Sequence, residues 1–240
     1  TCGDEIVDPF RPGMRFKARC REEFEILTAQ HLFCALEAFR RADVLIYTLG
    51  LTEAWVSRLD GAVFPACPGT VAGEFDPDSH AFHNFSASET GRDLDEFIIL
   101  LRSINPKVRV ILTVSPVPLV ATATTKHVLS ATIYSKSALR VAAHETTMRH
   151  AGVRYFPSYE IVTGPQAPRE FLEANRRDVS DAGIQAVMEA FFAGCEMAGA
   201  NAMPVDVFAP VQIAAAQSST SALASDLIKA ECEEAYADRR

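Results

Sequence analysis

Val108-Arg109-Val110-Ile111-Leu112-Thr113-Val114-Ser115, closed by Pro116, is a run of aliphatic and β-branched residues carrying a single charge. It is short for a core helix and too continuously apolar for a strand with one wet face, so it reads as a strand covered on both sides. Two further runs share this character, VLIYTL at residues 44–49 and VRYFP at residues 153–157. A helical pattern precedes each of the three. Residues 24–41 bring Ile26, Leu27, Leu32, Phe33, Leu36 and Phe39 to one side at helical spacing. Residues 94–104 run into the Asn105-Pro106 turn and residues 135–149 into Ala151-Gly152. A last helix opens at Ser180-Asp181, where the serine can cap the free amides, and continues through Val187, Met188, Phe191 and Phe192. Helix followed by apolar strand, three times over, predicts an α/β fold: a three-layer α/β/α sandwich around a parallel sheet.

Residues 57–88 break the pattern. Pro65, Pro68, Pro77, Gly61, Gly69 and Gly73 punctuate them, and the stretch reads as a long loop on the sheet rim. Residues 203–240 turn to Ala, Ser and Gln without a persistent apolar face, which predicts a disordered tail with a short helix near residues 227–236. The domain is thus expected to occupy residues 1–200 and the tail residues 201–240.

A chain of 240 residues with 48% hydrophobic content can bury a full core without disulfide or metal staples. Its formal charge of −8 argues against nucleic-acid and anionic-membrane partners, and the one dense basic stretch, residues 11–21, is followed at once by Glu22, Glu23 and Glu25. The six cysteines share no CxxC or ligand-like spacing, so they read as reduced thiols of a cytoplasmic protein, and no metal is expected. No apolar run approaches the ~20 residues of a membrane span, and no basic-then-apolar signal opens the chain. The first residue is Thr1 and not methionine, which suggests a processed chain or a fragment.

Six words identify a relationship: DPFRPGMRF (8–16), TLGLTEAW (48–55), CPGTVAGEFD (67–76), LTVSPVPLVATAT (112–124), ATIYSKSALR (131–140) and YFPSYEIVTGP (155–165). In this order they resemble proteins of the GSCFA family, relatives of the SGNH/GDSL hydrolases. The resemblance implies an SGNH-like sandwich and ester hydrolysis or acyl transfer on a small-molecule or carbohydrate ester, a chemistry that needs no cofactor. It also implies that the word bearing the nucleophilic serine lies upstream of Thr1. A non-catalytic ligand- or carbohydrate-binding module on the same scaffold is the alternative.

That chemistry needs a nucleophile, a base to take its proton and donors to neutralise the carbonyl oxygen. In the place where SGNH proteins carry Gly-x-Asn-Asp, the chain reads Gly50-Leu51-Thr52-Glu53. Gly50 fits, the Thr52 hydroxyl offers one donor, and Glu53 is a candidate substrate contact; the plainer reading is that Gly50 makes a tight turn while Thr52 and Glu53 cap the next segment. His80, His83 and Asn84 stand together in the word HAFHN, where Asn84 can supply the missing amide donor and both histidines can line the cleft. His127, just beyond the strand that ends at Ser115, is the candidate base; Ser115 is a weak alternative nucleophile with no GxSxG elbow beside it. Where the family's relatives carry Asp-x-x-His, the chain reads Asn175-Arg176-Arg177-Asp178. Arg177 can grip a substrate carboxylate or phosphate, or simply pair with Asp178 or Glu173. Tyr159 and Glu160, at a strand exit, are candidate cleft residues. Ser135 reads as a helix cap and Lys136 as a solvated first-turn residue.

Residues 1–21 offer no strand to flank residues 44–49. The run is therefore expected at an open sheet edge without a guarding charge, where it favours self-association.

Overall fold

The computed structural model describes residues 5–11, 17–70 and 73–197; the predicted tail lies outside them. It is a mixed α/β structure. Helix α1 spans Arg21–Arg41 and leads into strand β1, Val44–Leu49. Strands β2 (Glu53–Ser57), β3 (Val63–Phe64) and β4 (His80–Asn84) follow, then α2 (Ala87–Ile104), β5 (Arg109–Val114), α3 (Val128–Arg149), β6 (Val153–Phe156), α4 (Ser158–Thr163), a 3-10 turn at Arg169–Phe171 and α5 (Asp181–Met197).

The three apolar runs form one parallel sheet in the order β1-β5-β6, with Leu49 opposite Val114 and Thr113 opposite Phe156. Alternation along β5 sends Val110, Leu112 and Val114 into a cluster with Leu94, Ile98 and Leu101 of α2 and Leu139, Ala142 and Ala143 of α3. The alanines let α3 lie close to the strands. Ile98, Val110, Leu112 and Val114 are completely or almost completely buried, so each contributes about 1.5–3 kcal/mol. From the opposite face of β6, Phe156 meets Phe191 of α5 edge-on at 5.2 Å.

β1 stands at the sheet edge, as its sequence predicts. Bonds from Arg109 N to Asp43 O and from Ser115 N to Leu49 O show that its odd-numbered peptides face β5. The even-numbered ones, at Ile46 and Thr48, face the open edge. Ile46 is 53% exposed and Tyr47 43%.

Several expectations need correction. Residues 57–88 are not one long loop: β3, β2 and β4 make a second, antiparallel sheet in that order, with Trp55 opposite both Phe64 and Phe82. The frequent prolines and glycines hide short strands that alternate with period two. Helix α2 starts seven residues before Leu94, at Ala87, because Ser86 and Glu89 form a reciprocal capping box. Helix α3 starts at Val128, which puts Ser135 and Lys136 in its buried middle and not in its first turn. Helix α1 forms but is not a core helix: none of its residues is buried, and Ile26, Leu32 and Phe33 face solvent. Its carboxyl end is pinned instead by Asn105, whose amide donates to Phe39 O and Ala42 O. The Ser180 cap forms as expected, accepting from Gly183 N.

Candidate functional site

Beyond β1 the chain passes through Gly50, Leu51 and Thr52 before entering β2, and this turn lies past the carboxyl end of the sheet, where open α/β folds hold their ligands. Thr52 is its anchor. Only 1% exposed, it donates its amide to Ser135 Oγ at 2.9 Å and accepts at its carbonyl from Phe85 N. Its hydroxyl donates to Asn84 Oδ1 at 2.7 Å. That bond uses the donor that sequence reading assigned to Thr52, and it fixes the orientation of the Asn84 amide. The NH2 of Asn84 has no acceptor among the described residues.

Lys136, the residue beside Ser135, reaches the same turn from below. Its Nζ donates to Gly50 O at 2.8 Å, and no carboxylate pairs with it among the described residues. The side chain is 1% exposed, and this burial lowers its pKa from 10.5 to about 8. Ser135 and Lys136 therefore hold both ends of the turn, through the Thr52 amide and the Gly50 carbonyl. Neither the Gly50 nor the Leu51 amide meets an acceptor among the described residues. Gly50 is not needed for a tight turn, since its φ is not left-handed, and a Cβ built on it meets nothing within 4 Å. Open space, not backbone strain, is what this glycine provides.

The other candidate residues are dispersed. Glu53 accepts from the Thr122 hydroxyl at 2.6 Å and from Ala123 N at 3.2 Å, which ties the segment after β5 across the turn. His127 is the N-cap of α3, its Nδ1 accepting from Leu129 N at 3.2 Å, so the neutral ring carries its proton on Nε2. His83 and Asn84 are consecutive in β4 and project to opposite faces. His83 Nε2 meets Glu89 Oε1 at 3.0 Å, and Glu89, held by the Ser86 hydroxyl and amide, has its pKa lowered to about 2. His80 accepts from Asp76 N and packs its ring against Phe64 and Phe75. Tyr159 packs against the core cluster, while Glu160 holds Arg140 at 2.7 Å and Tyr155. Ser115 accepts from Val117 N and touches no histidine. Arg177 makes no ion pair with Asp178 or Glu173: Asp178 takes its bond from Asn175, and Arg177 Nε is buried without a partner. The expected pairing is thus corrected.

On the other face of the sheet a cavity of about 400 Å³ opens between β1, the exits of β5 and β6, and α5. Ile46, Val117, Phe156 and Met188 line it with Thr113 and Ser158. Those two hydroxyls bond each other at 2.6 Å, and Ser158 also donates to Val114 O. The lining is therefore apolar in effect.

The described residues thus form an α/β domain with a parallel sheet, a polar turn past its strand ends whose Gly50 and Leu51 amides are unused among them, and an apolar cavity on the sheet's other face. The chain belongs to the GSCFA family, whose model matches residues 3–191. No curated protein and no solved structure matches it.

Sequence reasoning picked out Gly50, Thr52 and Asn84 but set Ser135 and Lys136 aside. The signal for them was present in the word ATIYSKSALR: with α3 starting at Val128, helical periodicity turns Ser135 and Lys136 inward beside Ala131, Ala138, Leu139 and Ala142.

Proposed function

We propose that the protein is an SGNH-like ester hydrolase or acyltransferase with a three-layer sandwich fold, and that residues 50–52 with Asn84 form its site for the acyl carbonyl oxygen. The single observation behind this reading is the Thr52 hydroxyl bond to Asn84 Oδ1, which leaves the Asn84 NH2 as a pre-oriented donor beside the turn. Fixed donors of this kind stabilise charge as it develops on a carbonyl oxygen and need no reorganisation during the reaction. The apolar cavity beside β1 suits the hydrocarbon part of an acyl group. In this reading the serine nucleophile comes from outside residues 1–240. No serine or cysteine bonds a histidine among the described residues, and His127 serves as a helix cap. Arg177, whose guanidinium pairs with neither Asp178 nor Glu173, is the candidate contact for a substrate carboxylate or phosphate.

Hydrolysis of p-nitrophenyl acetate by a natural chain extended upstream of Thr1 tests this. Asn84→Ala should lower its turnover by about 10²–10³, as loss of one oxyanion donor does. Unchanged turnover would remove Asn84 from the site. Hydrolysis by residues 1–240 alone, abolished in Ser115→Ala, would move the nucleophile into this chain. Ligand binding without hydrolysis by the extended chain would favour the non-catalytic module, the reading that Thr52 and the missing Asp-x-x-His word support.

A further inference from the structure

A buried lysine without a carboxylate is costly, because the charge loses its water and gains little in return. Lys136 is in this position. Among the described residues it is the largest side chain with less than 2% exposure, and its one hydrogen bond there goes to the Gly50 carbonyl. That carbonyl belongs to the peptide whose N–H is that of Leu51. Across a trans peptide the two dipole ends point in opposite directions, so the ammonium pulls on one end while the N–H faces away from it. A cation on the oxygen makes the N–H a stronger donor, through a charge-assisted bond passed along the peptide. The Leu51 amide has no acceptor among the described residues, Leu51 itself is exposed, and the space over Gly50 is open. Ser135, one residue away on α3, holds the Thr52 amide and so keeps the turn from rotating.

We propose that Lys136 is a positioning residue for an anion site in which the Gly50 and Leu51 amides and the Asn84 NH2 receive a carboxylate, or the oxyanion that develops on an ester carbonyl. This rests on the functional reading above and adds to it the residue that charges the site. The lysine does not touch the ligand. Its charge, placed under the Gly50–Leu51 peptide, is balanced when the anion binds above.

Acetate is the probe. In ¹⁵N-resolved NMR of the full chain, with sodium chloride as control, the Leu51 amide should move saturably with acetate. Lys136→Met should weaken binding at least about tenfold, the scale of one unit charge acting over a few ångströms in a partly shielded site. Lys136→Gln guards against a folding failure, since it keeps a donor for Gly50 O and removes only the charge; it should weaken acetate similarly while leaving the Thr52 amide signal in place. Gly50→Ala should fold normally and also bind poorly, its methyl occupying the anion's space. Wild-type affinity in Lys136→Gln, or no saturable movement of Leu51 in the parent chain, would overturn the proposal. If acetate binding depends on Lys136 but the extended chain hydrolyses no ester, this site stands and the enzymatic reading falls. If the extended chain hydrolyses the ester while acetate binding is indifferent to Lys136, the enzymatic reading stands and the role of Lys136 falls.

Discussion

Replacing Lys136 by methionine should make the folded protein more stable at neutral pH. Methionine fills nearly the same volume without a charge, and the lysine it replaces is 1% exposed. Burial holds the ammonium at about 8 against its ordinary 10.5, so the charged form costs the fold at most about 3 kcal/mol below pH 8. Methionine removes that cost and also the bond to Gly50 O, a loss of about 1 kcal/mol softened because Gly50 is exposed to water. The net gain is about 2 kcal/mol, or roughly 4–8 °C in Tm for a domain of this size. The pH dependence carries the diagnosis. Between about 8 and 10.5 the unfolded chain holds the lysine proton and the folded chain does not, so wild-type stability rises through this window relative to the variant. The advantage of Lys136→Met should therefore be full at pH 7 and nearly gone at pH 10.5. Urea unfolding of both proteins at several pH values measures it. A variant less stable than wild type at pH 7, or a difference that stays flat to pH 10.5, would show that burial of the ammonium costs the fold nothing.

Other positions give sharper local outcomes. His127→Ala should cost about 0.5–2 kcal/mol in urea unfolding through loss of the α3 cap, and should leave ester turnover by an extended chain nearly unchanged. Glu89→Gln should weaken the capping box of α2, with the deficit present above pH 4.5 and fading as pH falls toward 2, where wild-type Glu89 also becomes neutral; thermal melts from pH 2 to 7 follow this. Ile46→Lys should reduce concentration-dependent association in light scattering, because it places a charge on the open β1 edge where Ile46 is 53% exposed. Equal association in both chains would assign it to another surface.

What the sequence disclosed depended on whether one period governed a segment. β1, β5 and β6 were legible because a strand buried on both faces writes itself as a continuous apolar run, within one or two residues of its true bounds. The second sheet was not. In β2 and β4 every residue is only half-buried, so Trp55, Phe82 and His80 alternate with Ala54, Ala81 and His83 without a strong contrast, and the intervening glycines and prolines dominate the reading. α1 erred in the other direction: a plausible apolar stripe formed a helix in which Ile26, Leu32 and Phe33 face solvent and no residue is buried, since periodicity states which side is apolar and not what covers it.

The candidate site divides along the same line. Gly50 and Thr52 were found because their segment stands where the relatives carry Gly-x-Asn-Asp, and Asn84 because its amide can supply the donor that Thr52 replaces. Their geometry was hidden, since the bond that decides which of them still has a free donor joins Thr52, at the entry to β2, to Asn84 at the end of β4, two strands the sequence did not reveal as partners. Lys136 was misread for a related reason. A lysine is presumed solvated unless its helix phase says otherwise, and the phase is fixed by where the helix begins. Once His127 is recognised as the cap, Ser130 and Tyr134 fall outward while Ala131, Ser135, Lys136, Leu139 and Ala142 fall inward. A short polar pair on an inward face, among alanines and opposite a glycine, is then the feature on which the proposed anion site rests.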